Sequence, residues 1–183
     1  MSHWNALLIA AEEVVGILRR HDLDAVVIGA VALAAYHYVR QTEDLDLAVN
    51  AGPAKMLAVV RSLEQAGYTA QFRAPDADDP LGGVTDVTGP FGLIQIISFA
   101  ERFPAVVEDA VRESSLVVRA GSALRIVPLP HLVALKLYAG GFKFKADIVE
   151  LLARNPEADL PSIRSLCGRY RLGGLDELID EAL

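Results

Sequence analysis

Asp44 and Asp46 stand one residue apart in the run Asp44-Leu45-Asp46-Leu47-Ala48-Val49. The alternation of acid and aliphatic predicts a strand, and side chains alternate faces along a strand. Both carboxylates therefore leave one face, with Cα atoms about 7 Å apart. Leu45, Leu47 and Val49 leave the other. Two acids at that spacing can converge on a divalent ion; without one they repel each other.

The elements around this pair must hold it still. Ala25–Ile28 reads as a short buried strand, followed by Gly29, a helix over Val31–Tyr38, a polar turn and the acidic strand. Upstream, Asn5–Arg20 is an amphipathic helix: Leu7, Leu8, Ala11, Val14, Val15 and Leu18 share one face, and Asn5 is placed to cap its start. Downstream, Asn50-Ala51-Gly52-Pro53 predicts a turn and a helix with proline in its first turn. Met56, Leu57, Val60 and Leu63 form that helix's buried face, and Gly67 ends it.

Tyr68–Arg73 is a strand, and 74–83 is a loop by composition. The loop aspartates Asp76, Asp78 and Asp79 lack the spacing and closing glutamate of a calcium loop. Val84–Thr88 and Leu93–Phe99 form a hairpin around residues 89–92. Its register sets Asp86 opposite Gln95, Val87 opposite Ile94 and Thr88 opposite Leu93. A helix over Glu101–Glu113 and a second hairpin, Leu116–Arg119 with Leu124–Val127, come next. Beyond Pro128 the pattern is helical, over 131–139, 143–154, 161–169 and 175–182. The expected fold is α/β (α+β): a mixed β-sheet flanked by helices, with a core over 1–128 and a C-terminal helical segment over 129–183.

Composition sets the surroundings. The chain has 183 residues, 52% hydrophobic and 22% charged, as ordinary soluble globular proteins do. A net charge of −7 argues against broad nucleic-acid binding. The single cysteine, Cys167, can form no intrachain disulfide, and the first residues lack the basic region of a signal peptide. The longest apolar run, Ala25–Tyr36, is too short to span a bilayer. A cytoplasmic protein is expected. The four histidines, His3, His21, His37 and His131, show no ligand spacing.

Gly29-Ala30, followed by Arg40-x-Thr42-x-Asp44-Leu45-Asp46-Leu47, resembles the signature of the polymerase-β-like nucleotidyltransferase superfamily. The wording is closest to its small bacterial members related to abortive-infection (AbiEii-like) and toxin–antitoxin nucleotidyltransferases. Leu132-Val133-Ala134-Leu135-Lys136, with Lys143 and Asp147-Ile148, is similar to the superfamily's helical segment. The resemblance implies transfer of a nucleoside monophosphate from a nucleoside triphosphate (NTP) to a hydroxyl acceptor, using magnesium (Mg2+), with one or two ions on Asp44 and Asp46. It implies that Gly29 and Ala30 bring backbone to the triphosphate, and that Arg40, Lys136 and Lys143 neutralise its charge. Thr42 belongs to the same signature; a turn cap is its plainer role. Arg40 can alternatively pair with Glu43 or Asp44.

The chain departs from the superfamily pattern at three places. Ala30 replaces a glycine or serine. Gln95 occupies the position of a third carboxylate. Gly140-Gly141-Phe142-Lys143-Phe144 lacks the arginine and aspartate of the corresponding element. Asp86, opposite Gln95, is the candidate replacement for the missing acid. These departures leave a second reading: a catalytically degenerate member acting as a ligand-binding or protein-interaction module of toxin–antitoxin type. A sequence-specific DNA binder is disfavoured, because no basic recognition helix stands out. The acceptor class (small molecule, tRNA or protein) and any oligomer are not specified by these residues.

Overall fold

The computed structural model describes residues 3–75 and 81–183. The loop aspartates Asp76, Asp78 and Asp79 lie outside the described residues. Five strands make one mixed sheet: β1 (Ala25–Ile28), β2 (Asp44–Val49), β3 (Thr69–Arg73), β4 (Val84–Gly89) and β5 (Gly92–Ser98), in the order β1-β2-β5-β4-β3. Only β2 and β5 run parallel; the other neighbours are antiparallel. Among the described residues the helices are α1 (His3–Arg20), α2 (Gly29–Ala35), α3 (Pro53–Gln65), α4 (Pro104–Glu113), α5 (Leu129–Ala139), α6 (Gly141–Arg154), α7 (Leu160–Arg169) and α8 (Leu175–Ala182).

The expected alternation on β2 holds. Leu45, Leu47 and Val49 are fully buried, and so are Ile94 and Ile96, which pair beside Leu45 and Leu47. Each such side chain contributes about 1.5–3 kcal/mol on leaving water. The apolar stripe of α1 packs towards α3 and β5. On the opposite face Asp46, Gln95, Asp86 and Gln71 stand side by side across four strands. A one-residue slip of β2 would bury both acids and expose three aliphatics, so the register is strongly specified.

Several boundaries differ from expectation, each for a local reason. Helix α1 begins at His3, and Asn5 lies inside it, its amide oxygen accepting from Arg119 Nη1 at 2.8 Å instead of capping. Helix α2 stops at Ala35; His37 turns the backbone left-handed, with φ 63°. Tyr36 Oη then donates to the Val127 carbonyl at 2.8 Å. On α3, Val59 takes the buried place expected of Leu57, which is 47% exposed. The β4–β5 turn is tighter than four residues, since the strands run on to Gly89 and Gly92. Helix α4 starts at Pro104 rather than Glu101, because the residue before a proline avoids helical angles.

The expected second hairpin does not form as two strands. Val117 and Arg125 make one antiparallel bridge, and Ile126 bridges Val27 in parallel. Val27 N–H donates to the Arg125 carbonyl at 2.7 Å, and Val127 N–H donates to the Val27 carbonyl at 3.0 Å. The segment pairs on both sides: Val118 N–H donates to the Leu124 carbonyl at 3.0 Å and Ile126 N–H to the Leu116 carbonyl at 2.8 Å across the hairpin, while the bonds to Val27 satisfy the outer edge of β1. Helix α5 packs on α4, α6 and α7, and α6 packs on α8. Gly140 (φ 68°) and Gly141 (φ 80°) make the corner between α5 and α6, where two successive left-handed residues suit glycine. No described helix is long and apolar enough to cross a membrane.

Candidate active site

A cavity of about 690 Å³ opens over the polar face of the sheet. Asp44, Asp46 and Gln95 form its floor together with Gly29 and Ala30. The turn from Arg40 to Glu43 closes one side, and Lys136, Lys143 and Phe144 stand on the helical side. The structure therefore brings together Gly29, Ala30, Arg40, Thr42, Asp44, Asp46, Lys136 and Lys143 around one space.

Strand alternation delivers both acids to the cavity, and local contacts orient them. The Thr42 hydroxyl donates to Asp44 Oδ1 and accepts from the Asp44 N–H at 3.4 Å, so Thr42 does cap the turn and also steers the carboxylate. The Asp46 carboxylate receives no hydrogen bond from any described residue. Burial pushes its carboxyl up to about 6, and the charge of Asp44 pushes the same way. Lys136, Lys143 and Arg40 pull it back down, in that order. Gly29 lies against it: a Cβ on Gly29 would stand 1.9 Å from Asp46 Oδ2.

The helical side is organised by an acid that the sequence reading left out of the site. Asp147 accepts from Arg40 Nη1 at 2.9 Å through one oxygen and from Lys136 Nζ at 2.7 Å through the other. Arg40 therefore pairs with Asp147, not with Glu43 or Asp44. The Asp147 and Lys136 side chains are 3% and 7% exposed. Burial lowers the Lys136 amine from its ordinary value, while the Asp147 hydrogen bond and charge oppose that. The signal was present in the sequence: Asp147 lies in the same helical segment as Lys136, eleven residues on. What spacing could not give was the turn at Gly140-Gly141 that folds α6 back on α5. Lys143 is exposed at the cavity wall and has no ion pair among the described residues.

Asp86 shares the face of Asp46, as its register requires, but it is not a wall of the cavity. Gln95 stands between them. Arg73 Nε donates to Asp86 Oδ2 at 3.0 Å and Arg73 Nη2 to Oδ1 at 3.1 Å, while Gln95 Nε2 donates to Oδ1 at 2.7 Å. A carboxylate so occupied, two strand spacings (about 10 Å) from Asp46, does not replace the missing third acid directly. His37 is exposed beyond α2 and does not line the cavity.

Among the described residues, no group of three or more acids, histidines or cysteines is placed to hold a metal ion. The pair Asp44 and Asp46 still fits a hard divalent cation. Their mutual repulsion and the missing donors on Asp46 are relieved by one, and magnesium commonly takes only one or two carboxylates, completing its shell with water and phosphate oxygens.

No family model and no curated protein matches the sequence. Solved structures do. The antibiotic-resistance factor ANT(2'')-Ia in solution aligns at a TM-score of 0.54 and 15% identity, over 93% of this chain and 93% of that one. An antigenic nucleotidyltransferase-like protein from Paracoccidioides brasiliensis aligns at a TM-score of 0.51 and 14% identity, over 98% of this chain and 94% of that one. At such identity the likeness speaks for architecture, and it agrees with the strand–helix–strand unit and the helical tail read from the residues: the chain has the nucleotidyltransferase fold.

Proposed function

We propose that the protein is a nucleotidyltransferase that moves a nucleoside monophosphate from an NTP to a hydroxyl acceptor, with Mg2+ on Asp44 and Asp46. One observation carries this reading: two carboxylates with no ion pair among the described residues face Arg40, Lys136 and Lys143 across a cavity of about 690 Å³. An acidic floor suits a cation and a basic wall suits a polyphosphate. Bound magnesium would screen the phosphate charge and polarise the α-phosphate.

The chain's own groups do the rest. Backbone at Gly29 and Ala30 lets a triphosphate approach the floor without meeting a bulky side chain. Lys143 meets phosphate as an uncommitted charge, and Lys136 and Arg40, fixed by Asp147, form a rigid positive wall. In the reaction the acceptor oxygen bonds to the α-phosphorus and the α–β bridging bond breaks. Pyrophosphate leaves, and the hydroxyl proton passes to water at the cavity mouth. Glutamine takes no proton, so Gln95 has no part in that last transfer.

The acceptor belongs to a class with a free hydroxyl: a small molecule such as an antibiotic, a tRNA end or a protein side chain. A site that consumes triphosphates suits the cytoplasm. The test is incubation of the purified protein with each labelled triphosphate, magnesium and a cell extract. A labelled product, lost in Asp44→Asn, supports transfer. Gln95 and the lack of a third acid among the described residues favour the second reading, a binding module of toxin–antitoxin type. Nucleotide-dependent stabilisation with no product from any acceptor would select it.

A further inference from the structure

Gln95 is usually the kind of residue read as a loss, a neutral side chain where an acid is expected. Its surroundings give it a defined orientation. Asp46, Gln95 and Asp86 are neighbours in one row, on β2, β5 and β4. Asp86 is held from its far side by both Arg73 donors. A carboxylate only accepts, so the Gln95 amide must turn its NH2 group to it, and Nε2 lies 2.7 Å from Asp86 Oδ1. The atom left over is Oε1, an acceptor. Gln95 lines the cavity floor with Asp46, and Asp86 does not.

We propose that Gln95 supplies its neutral amide oxygen as the third protein ligand to the cation on Asp44 and Asp46, and that Asp86, clamped by Arg73, is the positioning residue for that amide. The proposal rests on the metal site of the preceding section and adds to it who completes the site. Glutamine can do both jobs here: its Nε2 donates to Asp86, which leaves Oε1 as the atom to offer a cation. A carboxylate at 95 would instead face the Asp86 carboxylate across adjacent strands, where like charges repel. The departure at 95 and the acid at 86 are thus a matched pair. The cation would meet two negative charges and one neutral oxygen, a weaker but still hard oxygen set.

The test is Mn2+ binding by the purified protein without nucleotide or acceptor, read from the electron paramagnetic resonance signal of free Mn2+. Melting curves check that each variant folds. Gln95→Met keeps length and removes the oxygen; its Kd should rise about tenfold. Asp86→Asn lets the amide face either way and should weaken binding by less, roughly threefold. Added to Gln95→Met, Asp86→Asn should then change nothing further, as expected of a residue that acts only through Gln95. The exchange pair Gln95→Glu with Asp86→Asn restores a donor beside a carboxylate and should bind Mn2+ more tightly than the native protein.

Unchanged Mn2+ affinity in folded Gln95→Met overturns the proposal, and so does nucleotide binding that weakens while Mn2+ binding does not. A persisting Asp86→Asn effect in the Gln95→Met background overturns the positioning role. If Gln95→Met does not fold, the exchange pair decides, and equal or weaker binding there overturns the proposal. A native protein that binds no Mn2+ removes the underlying metal site as well, which separates the two failures.

Discussion

Gly29 and Asp46 are in contact across the strand–helix turn, so close that a Cβ on the glycine would overlap the carboxylate: 1.9 Å to Oδ2 and 2.8 Å to Cγ. The glycine also sits at φ +66°, a left-handed conformation in which L side chains are strained. Gly29→Ala meets both obstacles. The backbone term costs about 1–2 kcal/mol. The steric term falls on the tip of Asp46, which can swing away, so the fold survives but the floor of the site does not. The expected outcome is a folded variant, its midpoint lowered by several degrees, with no stabilisation by Mg2+ and triphosphate. A variant that keeps the full ligand-induced shift would show that the contact does not shape the site.

Asp46 carries a stability cost with a defined pH range. Its folded carboxyl lies at about 6, above the ordinary 3.8, because burial and Asp44 disfavour its charge. The folded state therefore holds the proton more tightly than the unfolded chain does. Stability associated with this group is full below pH 3.8 and is lost as pH rises through about 6. A shift of this size corresponds to at most about 3 kcal/mol, reduced to about 1–2 kcal/mol by solvent at the cavity mouth. Asp46→Asn should accordingly melt several degrees above the native protein at pH 8 and match it at pH 4. Mg2+ with a triphosphate should raise the native midpoint and leave that of Asp46→Asn unmoved. Equal midpoints at pH 8 without ligand would show that Asp46 is not strained.

What the residues disclose and what they hide divides along local and long-range geometry. The row Asp46–Gln95–Asp86 follows from two local facts: strands alternate, and a tight turn at Pro90-Phe91 fixes the β4–β5 register. The parallel pairing of β2 with β5 is not local, yet the DLDL run and the aliphatic run of β5 each require one wet and one dry face. Asp147 is different. Its partners Arg40 and Lys136 lie 107 and 11 residues away; the fold-back of α6 on α5 brings Lys136 to it, and the approach of the 40–43 turn brings Arg40. The 116–127 segment divides the same way: its pattern suits a hairpin, which two backbone hydrogen bonds and one bridge close, but its pairing with the outer edge of β1 is long-range.

Asp147 makes the basic wall rigid, and its loss should be costly. Removing one member of a buried ion pair leaves the other uncompensated, typically about 3–5 kcal/mol. In Asp147→Asn the Lys136 amine, already lowered by burial, loses the partner that supports its charge. Its folded pKa then falls further below the unfolded value, so the unfolded chain holds the proton more tightly. Above the ordinary carboxylate range, where the native pair is intact, the destabilisation should shrink as pH rises and Lys136 becomes neutral. Chemical denaturation at several pH values measures this. Lys136→Met together with Asp147→Leu should cost less than Asp147→Asn alone, since Arg40, 34% exposed, can turn to solvent. A flat pH response would mean that Lys136 is not charged through Asp147.

Lys143 separates binding from folding more cleanly than any other cation of the site. It is exposed, lines the cavity and makes no ion pair among the described residues. Lys143→Ala should leave the unliganded stability within about 0.5 kcal/mol of native. A charge-assisted contact to phosphate is worth about 1.5–3 kcal/mol, so triphosphate affinity should fall about tenfold or more. Because the amine is open to solvent, the loss should narrow as ionic strength rises and screening weakens the native contact. Lys143→Arg, which keeps the charge, should recover most of the affinity. Titration of the triphosphate at low and high salt reads both effects; identical affinities for native and Lys143→Ala at low salt would remove Lys143 from the phosphate site and leave the Asp147-braced pair as its cationic wall.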